Sequence, residues 1–474
     1  MQLPPLSAEI GIWGFGRVGK SVARVLVRMG YTIAVMDSDR KILSDNFLIE
    51  NNISIFMQDQ HDEFFALCDI VIPSPGIDLR PCKSHNHVWL AELDLFYMIW
   101  QRPIIAITGS VGKTTVTSML ADLCTYNDIP VLVGGNIGNA ACTLLESVVP
   151  VEYAILEVSS FQLELCRLFT PTIAIITNLY ENHLDRHDTY EAYWQAKAAI
   201  IRTMSTTGIC IVPWELRNNI RAINQNITIY YIDSSNNYSI EINEIKLHET
   251  LFRLIKNDDI QNRRDNNRQE IKIVGQSTEK IQEIDGRERY QTHEKPKNLF
   301  DQTLRHNALL IYTALQAINN KKVLDISFDI DYMKREHRLE YVGSKNSTIF
   351  INDSKATTIA SSLAAIDQYK NHPIILILGG LSKGVNREIL IQLLPTHVKE
   401  VICFGAEAHK LATWCMVYNK PAGIYATLDE AFVDIQKIIC PGDIVLLSPA
   451  GSSFDLYKNY EERGNHFKQL FQNM

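Results

Sequence analysis

The chain has no run of about 18 apolar residues, the length a helix needs to cross a bilayer. Its first residues, Met1 to Ile10, lack the order of a secretory leader, a basic stretch followed by an apolar one. Both absences lead to the expectation of a cytoplasmic protein with no membrane partner. A basic excess is also missing: 46 Lys and Arg stand against 54 Asp and Glu, a net charge of −8. That balance argues against a general nucleic-acid binder, so any polyanionic ligand must be held by local groups. The nine cysteines, Cys68, Cys82, Cys124, Cys142, Cys166, Cys210, Cys403, Cys415 and Cys440, show no CxxC spacing. They read as reduced core thiols and speak against a zinc site or a disulfide framework.

What is present is ordinary globular material, 46% hydrophobic and 21% charged, in 474 residues, which makes three domains the middle expectation. Short apolar runs alternate with amphipathic stretches: EIGIWG, a helical segment from Val18 to Met29, TIAVMD, then DIVIPS. The rhythm restarts at PIIAIT (103–108) and runs through AILEV (154–158) and TIAIITN (172–178). It starts a third time at STIFIND (347–353) and passes through PIILILGG, EVICFG and DIVLLSP. Such alternation marks βαβ units on parallel sheets, so the economical reading is three α/β units in series. Residues 257–295 are rich in Asn, Asp, Arg, Gln and Glu and read as an exposed insertion with room for one hairpin. Their mixed signs disfavour a basic recognition surface. A helix is expected from Thr303 to Asn319, and DISFDIDYMKRE (325–336) reads as the link into the third unit.

PIIAIT runs into TGSVGKTTVTSML, a strand, a glycine turn and a helix. Backbone N–H groups at such a turn, added to the helix dipole, suit phosphate oxygens. The loop spans Gly109, Ser110, Val111, Gly112, Lys113, Thr114 and Thr115; Lys113 would meet the terminal phosphates and the Thr114 hydroxyl a magnesium ion. Ile107 stands where the longer Walker loop has its first glycine, so this is the shorter TGxxGKT form. Near the amino terminus, Gly14, Gly16 and Gly19 follow a strand and open a helix, and Asp37 ends the next strand. Alone, that pattern suggests NAD and an oxidoreductase. A UDP diphosphate satisfies the same turn, and so does simple helix-on-sheet packing; the motif does not choose among them.

Read in order, TGSVGKTT, GGNIGNA, EVSSFQLE, TNLYENHLDRH, HRLEYV, NDSKATT, LGGLSKG and LLSPAGSSFDLYKNYEERGNHF resemble the landmarks of the Mur ligase family, over roughly residues 9 to 470. SSFQL, NDSKAT and LSPAGSSFD are similar to its D-glutamate-adding branch in particular. The resemblance implies three domains: a UDP-binding Rossmann-like one (1–98), a central P-loop ATPase (99–336) and a C-terminal Rossmann-like one (337–474). It implies a monomer that uses ATP and two Mg2+ ions to join D-glutamate to UDP-N-acetylmuramoyl-L-alanine through an acyl phosphate. Phosphoryl transfer between anions asks for charge neutralisation and positioning more than for a strong base.

The same resemblance assigns residues. Lys113, His183, Lys197 and Lys355 carry the chemistry, with Lys197 carbamylated in relatives. Thr114, Glu157, His183 and the carbamylated Lys197 are the expected metal ligands, and Asn307, Arg338 and Asp353 join the phosphate loop at ATP. The UDP substrate falls to Phe15, Gly16, Arg17, Asp37, Ser38, Arg40, Ser74 and Gly76, with Asn136 and Gly138 reaching in from the central unit. D-Glutamate falls to Thr357, Lys383, Ser453, Phe454 and Tyr460. Val111 replaces a usually small polar residue, Asn182 replaces an acid before the family histidine, and TLRHNA keeps Asn307 but not the upstream His-Asn pair. The nearest rivals are an L-alanine-adding relative and a folylpolyglutamate synthetase. Beyond the superfamily stand an NAD-dependent oxidoreductase and a nucleotide-binding scaffold without catalysis.

Overall fold

The computed structural model describes residues 3–82, 88–224, 226–232, 245–246, 299–318, 327–328 and 336–474. The polar insertion at 257–295 and most of the link at 325–336 lie outside them.

The first sheet contains β1 (Ile10–Trp13), β2 (Ile33–Asp37), β3 (Ser54–Met57), β4 (Ile70–Pro73) and β5 (Val88–Trp89), all parallel in the order β3-β2-β1-β4-β5. β1 is buried along its whole length, as a strand covered on both faces must be. The helix Arg17–Arg28 packs on it through Val22, Val25 and Leu26, within a residue of the expected bounds. A Cβ at Gly19 would lie 2.0 Å from the Gly14 carbonyl oxygen, so glycine there permits the close approach of helix to turn.

The second sheet holds β6 (Ile104–Thr108), β7 (Val131–Gly135), β8 (Tyr153–Glu157), β9 (Ile173–Ile176), β10 (Ile209–Pro213) and β11 (Thr228–Ile232) in the parallel order β11-β10-β9-β6-β8-β7. From β6 the chain passes to the edge strand β7, returns to β8 beside β6, then crosses to β9 on the other side and continues through β10 and β11, so the order reverses at β6. A crevice opens at the carboxyl ends of strands at such a point, between β8 and β9. The helices Lys113–Tyr126 and Leu299–Ile318 cover one face through Val116, Met119, Leu120, Leu310, Ile311 and Leu315. β12 (Ile245–Lys246) and β13 (Ser327–Phe328) form a separate antiparallel pair.

The third sheet, β14 (Glu340–Lys345), β15 (Thr348–Asn352), β16 (Ile374–Gly379), β17 (Val398–Phe404), β18 (Ala422–Tyr425) and β19 (Ile444–Leu447), runs β14-β15-β19-β16-β17-β18. Its edge pair β14/β15 is an antiparallel hairpin turning at Asn346 and Ser347, both at positive φ. A two-residue turn with both φ positive matches the strand twist. The sheet is therefore mixed, where the apolar rhythm alone suggested parallel strands.

The helix Glu92–Ile99 links the first sheet to the second and anchors both of its buried acids in the central unit. Asp94 accepts the N–H groups of Arg167, Leu168 and Phe169 at 2.8–3.2 Å. Glu92 accepts the N–H of Cys142 at 3.1 Å. Seven cysteines are buried and free, Cys440 is exposed and free, and among the described residues no disulfide forms. No described helix is long and apolar enough to cross a membrane.

Candidate active site

The sequence around Lys113 builds its loop from backbone partners. Gly109 and Gly112 take φ of +142° and +86°, conformations open to glycine. A Cβ at Gly109 would sit 2.0 Å from Thr177 Oγ1, which fixes the loop against the end of β9. Asn178 holds Val111 from both sides: its Oδ1 accepts the Val111 N–H at 2.9 Å, and its Nδ2 donates to the Val111 carbonyl at 2.9 Å. The Thr177 hydroxyl donates to that same carbonyl at 2.6 Å. The side chain of Val111 takes no part in this bonding, which explains how an apolar residue is accommodated there.

Two lysines converge on this loop. Lys113 Nζ donates to the carbonyls of Gly109 and Ser110 at 2.8 and 3.2 Å. Lys197 Nζ, 1% exposed as a residue, donates to the Gly109 carbonyl at 2.9 Å and lies 4.7 Å from the centre of the Tyr193 ring. Tyr193 and Lys197 are one turn apart on the helix Tyr190–Arg202, which starts with the Thr189 hydroxyl accepting the Ala192 N–H. Burial, reinforced by the neighbouring Lys113 charge, holds the Lys197 amine far below the usual lysine range. Lys113 is pushed down as well, by burial and then by Arg338, against the pull of Glu157.

Glu157 ends β8 and is 3% exposed. Its Oε1 accepts from Asn136 Nδ2 at 3.0 Å, whereas Oε2 is buried with no hydrogen-bond partner. An orphaned carboxylate oxygen beside two lysines is costly in a closed core and natural beside a cation. His183 caps the short helix Leu184–His187 with φ +56°, its backbone N–H held by Asn182 Oδ1 at 3.1 Å and its ring edge-on to Phe161. Burial and the charges of Lys383, Lys113 and Lys197 push the imidazole down to about 2, so it is neutral and able to ligate. Among the described residues no group of three or more His, Cys, Asp and Glu gathers as a metal cluster. Mg2+ bound through a nucleotide needs only one or two carboxylates with phosphates and water, so Thr114, Glu157 and neutral His183 are compatible donors.

A cavity of about 400 Å³ joins this centre to the amino-terminal glycine turn; Gly16, Arg17, Ser74 and Gly76 line one end, and Lys113, Asn136, His183 and Lys197 the other. Gly14 is at φ +92°, and its carbonyl accepts the Ser74 hydroxyl at 2.9 Å. Asp37 braces the turn by accepting the Phe15 N–H at 2.5 Å and the Asp39 N–H at 2.9 Å. Arg17 donates to the carbonyl of Gly138 at 2.7 Å, bringing GGNIG across from the central unit. Phe15 is buried, while Ser38 and Arg40 are exposed at the end of β2 and do not line the cavity.

The third unit brings four more groups to the same place. Asp353, after β15, accepts the Ser448 hydroxyl at 2.8 Å, and its burial raises it to about 7. Lys355 lies 4.8 Å from the Tyr460 ring centre, and burial with Arg338 lowers it to about 8. Lys383, also lowered to about 8 by burial and Lys113, donates to Thr357 Oγ1 at 3.5 Å. Arg338 is felt electrostatically by Lys113, Lys355 and Asp353 together. Ser453 is buried, but Phe454 is 70% exposed and Asn307 lies against Gly112 of the phosphate loop.

Several contributors were not singled out in the sequence reading. Ser160, Phe161, Gln162 and Tyr193 line the cavity. The SSFQL motif and the one-turn spacing of Tyr193 from Lys197 were the available signals. Arg80 reaches Asp188 at 2.8 Å, Arg186 donates to the Ile77 carbonyl at 2.7 Å, and buried Arg463 holds Ser354 and Gly451; Arg186 and Arg463 lie within quoted motifs but were given no role, and Arg80 lies outside them.

Three family models match successive stretches: the Mur ligase MurD-like N-terminal domain at residues 8–87, the Mur ligase middle domain at 107–278, and the Mur ligase glutamate ligase domain at 337–451. The UDP-N-acetylmuramoylalanine–D-glutamate ligase of Lawsonia intracellularis is 30% identical over 470 residues, covering 98% of this chain and 93% of that protein. The enzyme of the same name from Staphylococcus saprophyticus is 29% identical over 471 residues, covering 97% and 95%. Among solved structures, the MurF ligase of Thermotoga maritima in complex with ADP shares the fold with a TM-score of 0.54 at 15% identity, over 88% of this chain and 92% of that one. MurF of Acinetobacter baumannii gives 0.55 at 17% identity, over 88% and 87%.

Proposed function

The chain belongs to the Mur ligase family, and from that premise we propose that it joins D-glutamate to UDP-N-acetylmuramoyl-L-alanine, with ATP converted to ADP and phosphate. The observation that carries this reading is the cavity that links the amino-terminal glycine turn to Lys113, His183 and Lys197. It leaves room for one extended substrate whose diphosphate sits at the first turn and whose carboxylate reaches the second. An oxidoreductase built on the first sheet would leave the phosphate loop and the third unit without work.

In this reading the units divide after residues 98 and 336. Gly16, Arg17, Ser74, Gly76, Asn136 and Gly138 hold the UDP-sugar, with Phe15 and Asp37 shaping the turn and Ser38 and Arg40 at its rim. The loop from Gly109 to Thr115, with Asn307, Arg338 and Asp353, holds ATP. The substrate carboxylate attacks the γ-phosphorus and ADP leaves. Lys113 and Arg338 offset the charge that spreads over the transferring oxygens. Lys355, on the same side, steadies the acyl phosphate. The D-glutamate amine then attacks the carbonyl carbon, its proton is lost, and the tetrahedral adduct expels phosphate to leave the amide. Lys383, Thr357, Ser453 and Tyr460 supply the cation and hydroxyls that two carboxylates require, and Phe454 lies at the open edge of that pocket. Thr114, Glu157, His183 and a carbamylated Lys197 would hold Mg2+, which supplies charge neutralisation at the phosphates. The depressed Lys197 amine supports this, because carbamylation by CO2 consumes the neutral amine. The protein acts as a monomer in the cytoplasm.

The test is phosphate release from ATP in the presence of UDP-N-acetylmuramoyl-L-alanine with D-glutamate, L-glutamate, L-alanine or no amino acid. Release is expected with D-glutamate alone; release with L-alanine, or without dependence on an amino acid, overturns the assignment.

A further inference from the structure

The carboxyl edge of the central sheet carries the cavity described above, but a larger one lies at the opposite edge. It measures about 840 Å³ and is lined by the residues that precede three neighbouring strands: Pro103 before β6, Thr172 before β9 and Gly208 before β10. None of the residues assigned to ATP, the UDP-sugar or D-glutamate touches it.

Its lining has a definite chemical character. In a chain with eight more acids than bases, the described residues of this wall include Arg102 and Arg167 and no Asp, Glu or Lys. Among the described residues neither guanidinium is in an ion pair. The nearby acid, Asp94, is buried behind the wall, occupied by three backbone N–H groups. The hydroxyls of Thr170 and Thr203 are tied to each other and to backbone carbonyls, but Ser205 and Thr207 hydrogen-bond only to one another, 2.9 Å apart at the rim.

The aromatic component is equally specific. Trp100 stacks on Phe96 at 5.3 Å between ring centres, and the Arg102 guanidinium lies 6.0 Å from the indole centre. Trp100 is half-buried and lines the cavity, with its Nε1 shut off from solvent and so out of a ligand's reach.

We infer that this cavity is a second ligand site, remote from catalysis, that takes a small organic anion with a planar ring. Two guanidiniums with no described carboxylate beside them in the wall select phosphate, sulfonate or carboxylate oxygens, and the Arg102–Trp100 face receives the ring. The volume suits a molecule of mononucleotide size.

The probe is 1-naphthyl phosphate, titrated into the full chain with the catalytic site filled by saturating Mg-ADP. The readout is the Trp100 indole N–H resonance, identified by its loss in Trp100→Phe. That resonance is expected to shift saturably, and the dissociation constant is expected to rise at least tenfold in Arg102→Gln/Arg167→Gln. Inorganic phosphate alone is expected to bind more weakly than the naphthyl ester. Phosphate release in the ligase assay should be unchanged in the double variant, since neither arginine lies at the catalytic edge. An indole resonance that stays still, or one that shifts with the same constant in the double variant, overturns the inference. So does binding abolished by Mg-ADP, which would place the probe on the phosphate loop.

Discussion

The backbone N–H of Asp185 donates to the carbonyl of Lys383 across 3.3 Å, so the third unit touches the very turn that carries His183. Gly384 makes the contact possible. It sits at φ +76°, and a Cβ there would lie 2.5 Å from Asp185 N and 2.9 Å from Leu184 C, both backbone atoms that cannot swing aside. Gly384→Ala is therefore expected to fold, because the clash lies between units, but to hold Lys383 away from the amino-acid pocket. The turnover number should fall at least tenfold, with circular dichroism and melting temperature close to the parent's. A variant with full turnover would mean that this contact has no part in the reactive arrangement.

Lys383 also sets an expectation for pH. Burial and Lys113 lower its amine from 10.5 to about 8. A bound carboxylate restores the charged form, so binding takes up a proton wherever the free amine is neutral. The sign follows: affinity is flat below about pH 8 and falls above it, approaching tenfold per pH step. Glutarate, which has both carboxylates of the amino acid and no amine of its own to titrate, isolates the effect as an inhibition constant. Lys383→Met should raise that constant at pH 7 and remove its rise above pH 8; an inhibition constant independent of pH in the parent would exclude Lys383 from the pocket.

The parts of the site that could be read in advance are those written in contiguous residues. The phosphate loop, Glu157 at a strand end and Lys197 one turn past Tyr193 obey local geometry, strand then turn then helix, and local geometry leaves a sequence pattern. Gly384 and Arg80 answer to atoms more than a hundred residues away, and no periodicity encodes that. Glu92 and Asp94 carry no mark in the sequence; only the packed structure shows them turned inward onto the loops at 142 and 167–169. The β14/β15 hairpin turns on Asn346-Ser347, a weaker signal than Asn-Gly, which is why the mixed third sheet was not anticipated.

Lys197 decides how far the metal chemistry extends. Its Nζ is buried against Gly109 and Tyr193, and burial lowers the amine's basicity, which favours the neutral form that adds CO2. Lys197→Ala is expected to lower phosphate release more than a hundredfold. Formate or acetate at millimolar levels should restore part of it, by placing a small carboxylate where the carbamate stood. A variant as inactive with added carboxylate as without it would leave Lys197 as a structural amine.

Glu92 offers the clearest separation between stability and catalysis. The side chain is 3% exposed, its Oε1 accepts the Cys142 N–H, its Oε2 has no partner, and burial raises its carboxyl from 4.5 to about 7. A carboxyl raised on folding binds more protons in the native state between those values, so stability declines as pH climbs from 4.5 to 7 and stays lower above. The integrated loss at pH 8 is of the order of 3 kcal/mol. Glu92→Gln keeps an acceptor for Cys142 and carries no charge to desolvate. It should therefore unfold at a higher denaturant midpoint than the parent at pH 8, with the two midpoints converging near pH 5. If the variant is less stable at pH 8, the ionised carboxylate is held by a partner that the buried, unmatched Oε2 does not reveal, and the anchoring of the loop at Cys142 would rest on charge instead of on a single hydrogen bond.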